Sequence, residues 1–288
     1  MKKIFFSVSI LVLATATMAF TYKSIAHFSY EKNDIKYFPL QTKPFAASSV
    51  QNVNTDAINA DIKVFGDAKN DATLTVSAYG QNAEKLSAQA LQTMIAKYYD
   101  IQINHKSNGS LFISEKNKTD KIPQGAQFNF LFELHALPSV SVNTNTISGD
   151  AAFKGITNAT VSTISGDIAM YDILGKVQAS STSGDIVAAR VATIQNIKTI
   201  SGDIILNVHH LSKDVAVSSV SGDIKLHIAK EVQANVYAST VSGDLDASGI
   251  KEIAYSDNAH QSMTGALNGG ANNLIISSVS GDVKISKM

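Results

Sequence analysis

The chain has 288 residues and equal numbers of acidic and basic side chains, 24 of each, so its formal charge is zero. With seven scattered His and no Lys/Arg cluster it offers no electrostatic footprint for nucleic acid, which argues against that partner. Cysteine is absent, removing disulfides, thiolate metal sites, cysteine nucleophiles and a lipidated N-terminal Cys, while 44% apolar and 17% charged residues are the composition of a globular chain.

Residues 1–19 read as a secretory signal: Lys2 and Lys3, an apolar run from Ile4 to Ala14, then small residues with Ala16 and Ala19 as cleavage points. The run is short for a membrane span, so the expectation is export to the periplasm, the cell surface or the medium, with an uncleaved N-terminal anchor as the alternative. Export of a cysteine-free chain that starts with Lys-Lys suggests a bacterium. Residues 20–49 show no period and carry Pro39 and Pro44; they read as a leader. Residues 50–140 read as a β-rich N-terminal cap. In it Asn59-Ala60-Asp61-Ile62-Lys63-Val64 looks like a worn copy of Ser221-Gly222-Asp223-Ile224-Lys225-Leu226, and Ala72 to Val76 is a further strand. Over 84–98 the period changes, with Leu86, Ala90, Leu91, Met94, Ile95 and Tyr98 three to five apart, which predicts an amphipathic helix across an open end or flank of the sheet. Ile101 to Asn104 and Leu111 to Ile113 flank Asn108-Gly109, a hairpin signal. Phe128, Phe130, Phe132 and Leu134 alternate and predict an aromatic strand that lids the first coil.

From residue 141 to 288 one unit repeats. Ser-Gly-Asp stands at Ser148, Ser165, Ser183, Ser201, Ser221, Ser242 and Ser280, nearly always between β-branched residues, at intervals of 17, 18, 18, 20, 21 and 38. The double interval holds a degraded copy, Thr264-Gly265-Ala266-Leu267. Apolar residues recur three and five places after each Ser and four and six places before it, the alternation of two short strands joined at a corner. Gln195 is a polar exception at an inward position. A short-period repeat of this kind predicts an all-β fold, a parallel β-solenoid of about eight short coils with a right-handed hand, in which stacking supplies the core.

The exported leader, the β-rich part with its helix and hairpin, and the reiterated Thr-Val-Ser-Gly-Asp-Ile units together resemble the bacterial "putative adhesin" family of β-strand-repeat domains, over about residues 50–288. The resemblance implies a β-solenoid and a cell-surface role.

Chemistry is sparse in the pattern. The corner glycines Gly149, Gly166, Gly184, Gly202, Gly222, Gly243 and Gly281 supply backbone freedom for a bend, and the Ser and Asp side chains can bond nearby backbone N–H groups. The stacked carboxylates Asp150, Asp167, Asp185, Asp203, Asp223, Asp244 and Asp282 are read as structural, with calcium as the competing reading because the corner offers several oxygens. His209-His210 and His227 stand near one another in adjacent coils, His105 and His135 lie in the cap, and no His-Glu-x-x-His spacing occurs. Without a Gly-x-Ser-x-Gly elbow no hydrolase triad is expected, and no catalytic residue or cofactor is assigned. The expected function is non-enzymatic: a surface for an envelope, glycan or protein ligand. A structural or self-assembling element and a polysaccharide-active enzyme are the alternatives. The unit around Ser280, placed last in a solenoid and covered only by Lys284 and Lys287, predicts self-association through that open end, or cover from the 20–49 leader.

Overall fold

The computed structural model describes residues 35–80, 82–247, 249–257 and 259–288, so the expected signal and the leader up to residue 34 lie outside the described residues. Its strands are β1 Phe38–Ala46, β2 Asn52–Ala57, β3 Ala60–Phe65, β4 Asp71–Tyr79, β5 Tyr99–His105, β6 Ser110–Asn117, β7 Asn129–His135, β8 Ser141–Thr146, β9 Ala151–Lys154, β10 Asn158–Thr163, β11 Ile168–Ser183, β12 Ile186–Ser201, β13 Ile204–Val208, β14 Val215–Ser221, β15 Ile224–Ile228, β16 Ala234–Ser239, β17 Leu245–Asp246, β18 Ile253–Tyr255, β19 Ser262–Leu267, β20 Asn272–Ser280 and β21 Val283–Lys287. One α-helix, α1 Ala88–Tyr98, joins β4 to β5. No helix among the described residues is long and apolar enough to cross a membrane.

The chain is all-β, mostly parallel and solenoid-like, and its sheet has two faces meeting at the Ser-Gly-Asp corners. Strands that precede a corner form a leading sheet in the order β5, β6, β2, β8, β10, β11, β12, β14, β20, β16, β19, β18. Strands that follow a corner form a trailing sheet in the order β1, β4, β7, β3, β9, β11, β12, β13, β15, β21, β17. β11 and β12 belong to both, turning where Asp172 and Arg190 take φ of 56° and 54°. Inward side chains of the two sheets meet in one core, because the pleat sends alternate residues to opposite faces. Ile168, Ile186, Ile204 and Ile224, three places after their serines, are fully buried.

Several expectations change at this level. Gln195 is half-buried, not inward: the register between β11 and β12 shifts at Val177/Gln178, pairing Val177 with Ile194 and Gln178 with Asn196, so a bulge delivers Ile194 to the core. Thr264 to Leu267 form no corner. They lie inside β19, which runs antiparallel to β16; the double interval is spent on an antiparallel hairpin instead of another coil. The unit around Ser280 is not at an open end either. β20 pairs with β14 on one side and β16 on the other, and β21 with β15 and β17, so the corners follow the spatial order 201, 221, 280, 242. Its lysines pair with the unit beyond, Lys284 with Asp246 at 3.6 Å and Lys287 with Glu252 at 3.4 Å.

At the other end the aromatic strand β7 is not the lid. It is flanked by β3 and β4, and β4 in turn by β1. Residues 38–46, part of the expected leader, are therefore the outermost trailing strand, and Pro39 and Pro44 within it suit an edge, where a missing N–H costs no ladder bond. Predicted over 84–98, the helix begins at Ala88, because Ser87 caps it by accepting the Ala90 N–H; Leu91 and Ile95 are its buried residues.

Candidate binding face and the corner ladder

The corner explains its own composition. A Cβ placed on Gly149, Gly166, Gly184, Gly202, Gly222, Gly281 or Gly243 would lie 2.0–2.3 Å from a backbone oxygen of the neighbouring corner. Contact between stacked corners, more than bending freedom, is what demands glycine here. Each Asp then reaches one coil along. The N–H groups of Asp150, Asp167, Asp185, Asp203, Asp223, Asp282 and Asp244 donate in turn to the carboxylates of Asp61, Asp150, Asp167, Asp185, Asp203, Asp223 and Asp282 at 2.8–3.0 Å. The worn copy at Asn59 to Asp61 thus forms the first rung, and one oxygen of every Asp below Asp244 is engaged by a backbone amide. The corner serines are exposed. The corner's hydroxyl bonds come instead from the residue two places earlier: Ser181, Thr199, Ser219 and Thr240 donate to the carbonyls of Gly166, Gly184, Gly202 and Gly281 at 3.1–3.3 Å. A Thr or Ser stands at that place in all seven units, a signal legible in the sequence.

The ladder is closed at its start by two cap residues. Glu115, fully buried, accepts the N–H groups of Ile58 and Asn59 at 2.9 and 2.8 Å, and the Tyr79 hydroxyl donates to Asp61 at 2.7 Å. Burial pushes the Tyr79 hydroxyl pKa far up, and the neighbouring Asp61 charge adds to the shift.

The outer side of the leading sheet is a regular surface. Three columns cross it. The first, flanking the corner, is Ile147, Ile164, Thr182, Ile200, Val220, Val279 and Val241, whose apolar members are 46–64% exposed. The second is Asn145, Ser162, Ser180, Lys198, Ser218, Ser277, Ser239 and Ser262, and the third is Asn143, Thr160, Gln178, Asn196, Ala216, Ile275, Tyr237 and Thr264. Over these eight strands Lys198 is the one charge in them, and on β2 the second column continues to the exposed Asp56. At strand spacing the eight strands β8 to β19 span about 34 Å.

This geometry has known relatives. Residues 45–286 match the family described as Toastrack DUF4097. The chain belongs to that family. Its solenoid-like, all-β architecture is the Toastrack fold. Among solved structures, this Toastrack chain is similar to a "putative cell adhesion protein" from Clostridium sporogenes (10% identity, 88% of this chain and 100% of that one, TM-score 0.37). It is also similar to a "putative lipid binding protein" from Parabacteroides distasonis (15%, 87% and 97%, 0.38) and a "putative adhesin" from the same organism (12%, 88% and 98%, 0.38). No curated protein matches it.

The histidines lie in adjacent coils, out of register by two places or more: His227 pairs with Asn207 and Ser286, its Nδ1 2.8 Å from the Ser286 hydroxyl, and His209 and His210 follow the end of β13, exposed. His105 contacts the Ser49 carbonyl and His135 the Asp67 carboxylate. Among the described residues no group of three or more His, Asp or Glu is arranged to hold a metal. An open cleft of about 680 Å³ within the cap is lined by amides, among them Asn82, Asn117, Gln124 and Gln127, together with Asp120 and Lys121.

Proposed function

We propose that this Toastrack protein is an exported, non-enzymatic β-solenoid of about eight right-handed coils whose leading face binds an uncharged ligand at the cell envelope, a glycan before a protein. The observation behind the proposal is the composition of that face over the eight strands from β8 to β19: hydroxyl and amide side chains in straight columns, bordered by β-branched residues, with Tyr237 exposed and Lys198 the one charge in the columns. Such a surface offers many weak hydrogen bonds and an apolar shelf, which suits a flat polymer contacting several strands at once. The repeated acids of the solenoid stand in the corner and are bonded to backbone, which favours a structural use for them over the carboxylate pair by which most glycoside hydrolases work.

The test is co-sedimentation of the full chain with insoluble neutral polysaccharides and with isolated envelope, for the natural sequence and for Thr160→Glu/Gln178→Glu. Binding that falls at least tenfold in the variant at unchanged melting temperature supports the face as the site. Equal binding by both, or release of soluble sugar, overturns the proposal.

A further inference from the structure

In one layer of the cap a loop replaces the corner. β6 belongs to the leading sheet and β7 to the trailing sheet; residues 118–128 join them, where residues 147–150 alone take the chain from β8 to β9. The corner's duty toward the next layer falls to Glu115, whose carboxylate accepts the Ile58 and Asn59 N–H groups, so the side chains of the loop are spared. The loop is pinned along its length. The Lys118 N–H donates to the Tyr98 carbonyl at 2.8 Å, and the Asn82 side chain donates to the Gln124 carbonyl at 2.7 Å. The buried Tyr99 hydroxyl donates to the Ala126 carbonyl at 3.0 Å and accepts the Phe128 N–H at 2.9 Å. Insertions into a repeat map to loops on one face, often the binding one, and a loop ordered in advance loses little entropy when it binds.

The geometry points to a second binding site in the cleft beside this loop, one for a short neutral saccharide. Asn59, Asn117, Gln124 and Asn129 line the cleft, and among the described residues their side-chain amides make no hydrogen bond. Each carboxamide sets a donor beside an acceptor, the pattern that adjacent sugar hydroxyls match. The volume of about 680 Å³ lies within the range of small-molecule sites, about 300–1,000 Å³. Other ligand classes fit less well. β6 is flanked by β5 and β2, and β7 by β4 and β3, so the cleft presents no ladder edge to an extended peptide. Lys121 stands next to Asp120, so an anion meets no cluster of cations. The lining aromatics Tyr99 and Phe128 are buried, which leaves recognition to the amides rather than to ring stacking. None of these residues belongs to the three columns of the leading face, so the site stands independently of the function proposed for that face.

The test is calorimetric titration of the full chain with cellotriose, maltotriose and triacetylchitotriose, three neutral trisaccharides. The natural sequence is compared with Asn117→Ala/Gln124→Ala in the cleft and Thr160→Glu/Gln178→Glu on the leading face. Asn117 and Gln124 are exposed, so the cleft variant should melt as the natural chain does; if it melts lower, Gln124→Ala alone gives the reading. At least one trisaccharide is expected to bind, equally well to the leading-face variant and at least tenfold more weakly to the cleft variant, since bound hydroxyls lose their partners there. Binding of none of the three, or binding that the cleft variant retains, overturns the site. A sugar held by the cleft variant and lost by the leading-face variant would overturn the cleft while leaving the function proposed for the face standing. The reverse pattern establishes the cleft whatever the insoluble polysaccharides do.

Discussion

At the scale of single residues, the corner triplet divides its work unequally. Gly meets the neighbouring carbonyl, Asp holds the neighbouring amide, and Ser faces solvent. Gly184→Ala sets a Cβ against the Gly166 carbonyl, which a Cβ could approach only to 2.0 Å, and should cost about 3 kcal/mol through forced backbone movement. Asp185→Ala removes the acceptor of the Asp203 N–H and should cost about 1–3 kcal/mol, with Asp185→Asn costing less because an amide oxygen still accepts. Urea melts of the three variants check this order; an Asn variant as damaged as the Ala variant would mean that the negative charge, and with it a cation, matters. On the backbone-capping reading a chelator leaves the melting temperature unchanged, whereas a rise of many degrees on adding millimolar calcium would favour the calcium reading of Asp150, Asp167, Asp185, Asp203, Asp223, Asp244 and Asp282.

For a single strand, alternation decides which substitutions matter. Ile204 on β13 is fully buried and Lys225 on β15 points outward beside Asp223 at 3.8 Å. Ile204→Asp buries an unpaired charge and should abolish cooperative melting, while Lys225→Asp loses only an exposed pair, within about 1 kcal/mol; near-equal melting temperatures would refute the inward assignment. β15 also carries a pH response. Burial of His227, with the Lys284 charge beside it, lowers its pKa below the ordinary value. The folded state thus favours the neutral ring, so this contribution is present above the unfolded value of about 6.5 and is lost as pH falls through the lower folded value. Melting temperature should decline from pH 7 to pH 5, and His227→Asn, which can still meet the Ser286 hydroxyl, should flatten that part of the profile.

Over the whole molecule, the position of the Ser280 unit sets how damage spreads. Were that unit an outer coil, a chain ending at Leu267 would lose one layer and keep the rest. As an inner layer its removal strips both β14–β15 and β16–β17 of a partner and of the Asp223–Asp282–Asp244 rungs. Truncation at Leu267 should therefore unfold residues 229–267 as well, read by hydrogen exchange as loss of protection across β16 to β19 with β8 to β12 still protected. Retained protection in β16 would show that the 242 corner can close directly on the 221 corner.

The sequence by itself determined most of the repeat's strands and inward faces and its seven corners, because alternation and the triplet are local properties that each unit states for itself; it did not show the bulge that puts Ile194 in place of Gln195 or the edge strand Phe38–Ala46. It also showed the hairpin and the helix, where the period changes from two to about three and a half. Only the tertiary structure decided which unit stacks on which. Seven nearly identical corners are interchangeable as neighbours, so a 38-residue interval reads as a skipped coil when it is in fact an antiparallel hairpin, and nothing local tells the 280 unit to enter between 221 and 242. The candidate face was hidden for a related reason: its columns are made by register between strands, and a Ser at one outward position means little until the rest of its column stands beside it.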